Sequence, residues 1–110
     1  MLDRIALGRT GLDVTPLALG GLFVSSYGAE FEQAMEAVQR AVELGINYVD
    51  TAPMYGNSEQ VLGRILPDLE RPMIVSTKLG ARPQPFDPKD AKALRESFEE
   101  SCRLLGRETI

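Results

Sequence analysis

The chain has 110 residues, enough for one ordinary domain that buries about two-thirds of its unfolded surface on folding. Its 44% hydrophobic and 25% charged content excludes a disordered or low-complexity segment, and a net charge of −4 with scattered basic residues excludes a nucleic-acid footprint. One cysteine and no histidine exclude an internal disulfide and a Cys/His zinc site, so no metal site is expected. No stretch approaches the ~18 apolar residues of a membrane helix, and MLDRIALGRTG has neither the apolar core nor the cleavage site of a signal peptide. A cytoplasmic location is the default expectation.

In chain order, IAL (5–7) and DVT (13–15) flank the glycine-bracketed turn Gly8-Arg9-Thr10-Gly11 and predict a hairpin occupying 1–16. Beyond Pro16 the pattern changes to alternating strands and helices. A first strand is predicted over 17–20, followed by a long loop through Ser25, Ser26, Tyr27 and Gly28. A helix over 31–44 carries Ala34, Met35, Val38, Ala41 and Val42 on one stripe, with Gly45 where a C-terminal cap is expected. A strand over 46–51 (INYVDT) leads to a helix over 58–66, capped by Asn57 or Ser58, with Val61, Leu62, Ile65 and Leu66 as its apolar stripe. A third strand is predicted over 73–78 (MIVSTK). The third helix opens at Asp87-Pro88 and runs through Ala91, Leu94, Phe98, Cys102 and Leu105 to Gly106.

Strands alternating with helices imply parallel, right-handed βαβ units over 17–110. Strand starts near 17, 46 and 73 repeat every 27 to 29 residues, and a fourth strand would fall due near residue 110. A closed eight-unit barrel needs about 250 residues, so three units read as part of one, cut before its fourth strand.

Strand parity points to the chemistry. Tyr48 and Asp50 share one face of their strand, as do Ile74, Ser76 and Lys78 of the next. If Val49 and Val75 face the helices, Asp50 and Lys78 both point inward at C-terminal strand ends, on strands about 4.8 Å apart. That rim is where barrel enzymes of this type carry their active sites. A buried Asp and Lys there would need each other, and on position alone a plain ion pair closing the barrel mouth reads equally well. Tyr55, five residues past Asp50 in DTAPMYG, would alone read as a half-exposed loop aromatic. Together the three form an acid: an ammonium favours the phenolate of a tyrosine whose ordinary pKa is near 10, and a carboxylate behind it holds the ammonium in place. Such a tyrosine can protonate a carbonyl oxygen while hydride arrives at carbon.

These residues resemble the aldo/keto reductase family. GINYVDTAPMYGNSE (45–59), continued by EQVLG (59–63), is similar to the family signature around its catalytic Asp and Tyr. LGRTGLDVTPLALGG (7–21) resembles its N-terminal hairpin and first barrel strand, VSTKLG (75–80) its third strand, and SCRLLGRETI (101–110) the segment leading into its fourth. The resemblance implies an α/β fold, the (β/α)8 TIM barrel, represented by the hairpin and the first three βα units. It implies an NAD(P)-dependent oxidoreductase interconverting small carbonyl compounds and alcohols. Tyr55 would be the general acid, Lys78 the modulator of its pKa, and Asp50 the partner of Lys78. For the cofactor, NADP or NAD, Asp50 would also lie near the nicotinamide, whose pocket Gly21 and Leu22 would line. Similarity of LALGGLFVSSYG to sugar and pyridoxal dehydrogenases suggests that subgroup. The family's fourth catalytic residue, usually a His after strand 4, and most of its cofactor pocket lie beyond Ile110. No Gly-rich Rossmann fingerprint is present, and the family uses none. The 110 residues alone are therefore expected to be inactive.

The remaining features read more plainly. Cys102 is expected in the core, Ser25, Ser26 and Tyr27 on a solvated loop, and Glu96, Glu99 and Glu100 on the wet face of the third helix. Arg82-Pro83-Gln84-Pro85 reads as a stiff loop leaving the rim. Two alternatives stand beside the oxidoreductase: a barrel enzyme forming a Schiff base on Lys78, and a non-catalytic partial barrel that self-associates through open strand edges. The oligomeric state is left open.

Overall fold

The computed structural model describes every residue except Met1, Ala81 and Pro83, so the middle of the proline-rich loop expected at 82–85 lies outside the described residues. The hairpin forms as expected. β1 (Ile5–Ala6) pairs antiparallel with β2 (Asp13–Val14), Ile5 opposite Val14. Thr10 closes the turn, donating its hydroxyl to the Leu7 carbonyl at 2.6 Å and accepting the Leu12 N–H at 3.2 Å.

Three βα units follow. β3 (Leu19–Gly20), β4 (Tyr48–Asp50) and β5 (Ile74–Ser76) form one parallel sheet in the order β3-β4-β5. The register aligns Leu19 with Val49 and Val49 with Val75, and likewise Gly20 with Asp50 and Asp50 with Ser76. Because side chains alternate, Leu19, Val49 and Val75 share the face toward the helices, while Tyr48, Asp50, Ile74 and Ser76 share the other. The helices α1 (Phe31–Glu43), α2 (Ser58–Ile65) and α3 (Ala91–Leu105) follow their strands. The core is the layer between sheet and helices, built on Val38, Val49, Leu62, Met73, Val75 and Leu105. The molecule is only 19 Å across its thinnest axis, the depth of one sheet plus one helix layer about 10 Å away, so the opposite sheet face is only partly covered. Among the described residues no helix is long and apolar enough to cross a membrane.

Asn47 ties the hairpin to this layer. Buried at the start of β4, its side chain accepts the Thr15 N–H at 2.8 Å and donates to the Asp13 carbonyl at 2.9 Å. The buried Thr15 hydroxyl accepts the Asn47 N–H in return and donates to the Leu17 carbonyl.

The helices depart from expectation at their ends and on one face. α2 stops at Ile65 and passes into a 3-10 turn, Leu66–Asp68, because Pro67 has no N–H to continue the ladder. α3 begins at Ala91, not at Asp87-Pro88. Asp90 is its cap, accepting the N–H groups of Lys92 and Ala93, while the Asp87 carboxylate accepts the Lys89 N–H in a separate preceding turn. The stripe expected to bury α3 is also rotated. Ser97, Ser101 and Leu105 are buried, whereas Phe98 is 44% exposed and Cys102 is half-buried rather than fully in the core. The two serines are buried because they are satisfied there: Ser97 Oγ donates to the Gly80 carbonyl at 3.0 Å, and Ser101 Oγ accepts from Arg82 at 2.7 Å.

α3 approaches α2 closely at Gly63, against the backbone of Leu104 and Leu105. A Cβ at Gly63 would lie 1.9 Å from the Leu104 carbonyl oxygen, a backbone atom that cannot rotate aside. Alanine is the better helix former by about 1 kcal/mol. The overlap is nevertheless expected to dominate, so Gly63→Ala should destabilise the chain by about 1–3 kcal/mol, read as a lower urea midpoint. A midpoint at or above that of the unaltered chain would contradict this close approach.

Candidate active site

Asp50 ends β4, and Lys78 lies two residues beyond β5, on the strand's own exit path. The parallel register brings them together on the face away from the helices, as parity requires. Lys78 Nζ donates to Asp50 Oδ1 at 2.8 Å, to Oδ2 at 2.6 Å, and to the Thr51 carbonyl at 3.0 Å. An ammonium has three N–H donors, and these acceptors engage all of them. The pair expected to be buried is instead half open, with the Lys78 and Asp50 side chains 51% and 41% exposed, because their face of the sheet is only partly covered.

Ser76, on the same face, donates its hydroxyl to Asp50 Oδ1 at 2.5 Å. Parity placed Ser76 beside Asp50 and Lys78, but nothing in the residue type marked it as a partner. Partial desolvation works against the Asp50 charge; the hydrogen bonds from Lys78 and Ser76, with the field of the ammonium, outweigh it and hold the carboxyl below its ordinary value.

Tyr55 joins them. Its N–H donates to the Ala52 carbonyl at 3.1 Å, its own carbonyl accepts the Ser58 N–H at 2.9 Å, and this turn folds the loop back over the rim. The ring centroid lies 5.6 Å from Lys78 Nζ. The three residues singled out for chemistry therefore meet at one place.

Gly21 and Leu22 stand at the same rim. The Gly21 N–H donates to the Asp50 carbonyl at 2.7 Å, extending the β3–β4 pairing past Gly20. A Cβ there would lie 2.8 Å from that carbonyl oxygen and 3.0 Å from Ser58 Oγ, so only glycine fits. Leu22, beside it, is 38% exposed. Of the loop expected to be solvated, Tyr27 is exposed and lies against Gly56, but Ser25 is buried. Its hydroxyl donates to the Leu22 carbonyl at 2.5 Å and accepts the Tyr27 N–H, which makes it a turn-former.

A second polar group lies behind the rim, on the helix side. Glu59, almost fully buried, accepts the Thr77 hydroxyl at 2.8 Å and pairs with Arg82 Nη1 at 2.8 Å. Arg82 Nη2 also donates to Ser101 Oγ at 2.7 Å and to the Ser97 carbonyl at 3.3 Å. By sequence alone Arg82 belongs to a loop and Glu59 to a family-like signature. The missed signal was a Glu in the first turn of a helix, at a position the apolar stripe would bury. Among the described residues no group of three or more His, Cys, Asp and Glu side chains could hold a metal ion.

The lowered Asp50 pKa has a direction in pH. Its ionised form is favoured in the folded state, so its contribution to stability is present above the unfolded value of about 3.9 and is lost as pH falls through the folded value. The urea midpoint of the unaltered chain should exceed that of Asp50→Asn at about pH 6, and the gap should close below about pH 4. The gap should correspond to no more than about 1 kcal/mol, because the pair is open to solvent. A gap that widens on acidification would contradict the assignment.

Residues 16–110 match the profile of the aldo/keto reductase family. Over 114 residues the chain is 39% identical to L-galactose dehydrogenase of Arabidopsis thaliana, covering 94% of this chain and 34% of that protein. Over 85 residues it is 40% identical to pyridoxal 4-dehydrogenase of Microbacterium luteolum, covering 71% of this chain and 24% of that one. The fold superposes with a TM-score of 0.86 and 34% identity on a Pseudomonas aeruginosa structure described as an aldo-keto reductase, covering 97% of this chain and 43% of the other. The chain thus spans about a third of the length of the first of these relatives. With profile, relatives and fold in agreement, this chain belongs to the aldo/keto reductase family and spans three βα units of its (β/α)8 barrel.

Proposed function

We propose that the chain supplies the proton-transfer part of an NAD(P)-dependent oxidoreductase that interconverts aldehydes, ketones or sugars with alcohols. The observation that carries this reading is the Lys78 ammonium, held by three acceptors and lying 5.6 Å from the Tyr55 ring at the sheet's C-terminal rim. In the reductive direction the Tyr55 hydroxyl gives its proton to the substrate carbonyl oxygen. The negative charge then left on the phenol oxygen is stabilised by the ammonium through space. Asp50 keeps Lys78 in place, Ser76 and the Thr51 carbonyl fix the geometry of the pair, and Tyr55 regains a proton from solvent. In the oxidative direction the same group takes the proton from the alcohol.

The residues present fit the nicotinamide end of a dinucleotide. The rim is half open, Asp50 borders it, and Leu22 is exposed next to Gly21. When bound, the nicotinamide supplies or accepts the hydride. Lys78 and Arg82, the cations on the segment leaving β5, are both engaged with carboxylates, so the pyrophosphate charge falls to residues elsewhere in a complete barrel. Commitment of the Lys78 nitrogen to three acceptors speaks against its use as the amine of a Schiff-base enzyme.

Two measurements test the proposal. The 110-residue chain, mixed with an aldehyde and NADPH or NADH, should show no turnover; Tyr55-dependent oxidation of the cofactor would overturn that expectation. Completed to a closed barrel by fusion to the remaining strands of a relative, it should turn over, and Tyr55→Phe should then lower kcat by about 10²–10⁴-fold. Unchanged kcat in Tyr55→Phe would remove Tyr55 from the role of general acid.

A further inference from the structure

Ser58 and Glu59 open α2, three and four residues past Tyr55, and both side chains are turned into the protein. Ser58 is 0% exposed and Glu59 2% exposed, which is unusual for a first helical turn whose polar groups normally face water. A buried hydroxyl or carboxylate is costly unless paired, and here each is paired with a different part of the sheet.

Ser58 Oγ donates to the Gly21 carbonyl at 2.6 Å, at the end of β3, and lies 2.8 Å from Thr51 Oγ1, at the end of β4. Glu59 Oε2 accepts the Thr77 hydroxyl at 2.8 Å, on the exit from β5, and Oε1 pairs with Arg82, whose other contacts reach α3. Two adjacent residues therefore fasten the first turn of α2 to all three strand ends at once.

Each of those strand-end residues is directly connected to the rim. The Gly21 N–H holds the Asp50 carbonyl; Thr51 follows Asp50, and its own carbonyl accepts from Lys78; Thr77 precedes Lys78. On the other side, the Ser58 N–H holds the Tyr55 carbonyl at 2.9 Å. Apolar packing of Val61, Leu62 and Ile65 drives α2 onto the sheet, but that force is non-directional and does not by itself set the position along the helix axis. Hydrogen bonds are directional, and any slide of α2 would leave Glu59 buried without its partners.

We infer that Ser58 and Glu59 are positioning residues that set the distance between Tyr55 and Lys78, by registering the start of α2 against β3, β4 and β5. Both side chains are buried beneath the rim. The inference builds on the proposed roles of Tyr55 and Lys78, but its test does not depend on turnover.

The readout is the NMR ring-current displacement of the Lys78 ε-methylene protons by the Tyr55 ring, measured in the 110-residue chain with Tyr55→Leu as the zero. Ser58→Ala and Thr77→Val each remove one hydroxyl with little change of volume, so a folded chain is expected, and the displacement should fall toward the Tyr55→Leu value in both. Glu59→Gln, which keeps an acceptor for Thr77, should retain most of it, whereas Glu59→Leu should lose it. Val38→Ala cuts the core in α1, away from these bonds, and should lower the urea midpoint while leaving the displacement in place. An unmoved Lys78 signal in folded Ser58→Ala and Thr77→Val, or an equal loss in Val38→Ala, would overturn the inference. If the signals respond as expected but the completed barrel shows no Tyr55-dependent turnover, the oxidoreductase reading falls and the positioning role stands.

Discussion

A parallel register between β4 and β5 underlies the whole site. It sets Asp50 beside Ser76, and two residues past the end of β5, on the same side, lies Lys78. A slip of β5 by a single residue would turn Ser76 and Lys78 toward the helices, away from Asp50, and bring Val75 to the open face instead. The polar rim and the apolar core are thus two faces of one alignment. The hydrophobic layer that stabilises the sheet also aims the carboxylate and the ammonium at each other.

Polar groups are arranged on both sides of that alignment, and the two sets differ in character. On the open face the Asp50–Lys78 pair is half exposed and so contributes little to stability, but its charges are accessible to a bound molecule. On the helix side the Glu59 carboxylate is buried while its partner Arg82 is 26% exposed, and the pair ties the start of α2 to the segment leaving β5. One ion pair lies open at the rim; the other joins the start of α2 to Arg82, which also reaches α3.

Much of this was legible from residue order alone. Alternation within INYVDT and MIVSTK placed Asp50 and Lys78 on one face because strand parity depends only on counting, and the register then met the expectation. The stripe of α1 and the later turns of α2 were readable because their buried residues, Ala34, Val38, Ala41, Val42, Val61, Leu62 and Ile65, are apolar. α3 resisted because its buried face is made of serines, whose burial depends on partners far away in sequence: Gly80 for Ser97 and Arg82 for Ser101. Its start was misplaced because Asp87-Pro88 and Asp90 are both acceptable caps, and only the path of the preceding turn decides between them. Ser58 and Glu59 each lie one helical turn before Val61 and Leu62 on the same stripe, so position marks them for burial while their polar residue types read as solvated.

The hairpin contributes no strand to the parallel sheet and in that respect resembles an appendage. Asn47 shows otherwise. Its amide, buried immediately before β4, finds both its acceptor and its donor on the backbone at 13–15. For anyone shortening or grafting this scaffold, the consequence is that the first fifteen residues cannot be trimmed alone. Their removal would leave an unsatisfied amide at the base of the strand that carries Asp50, and position 47 would have to be redesigned as apolar in the same step.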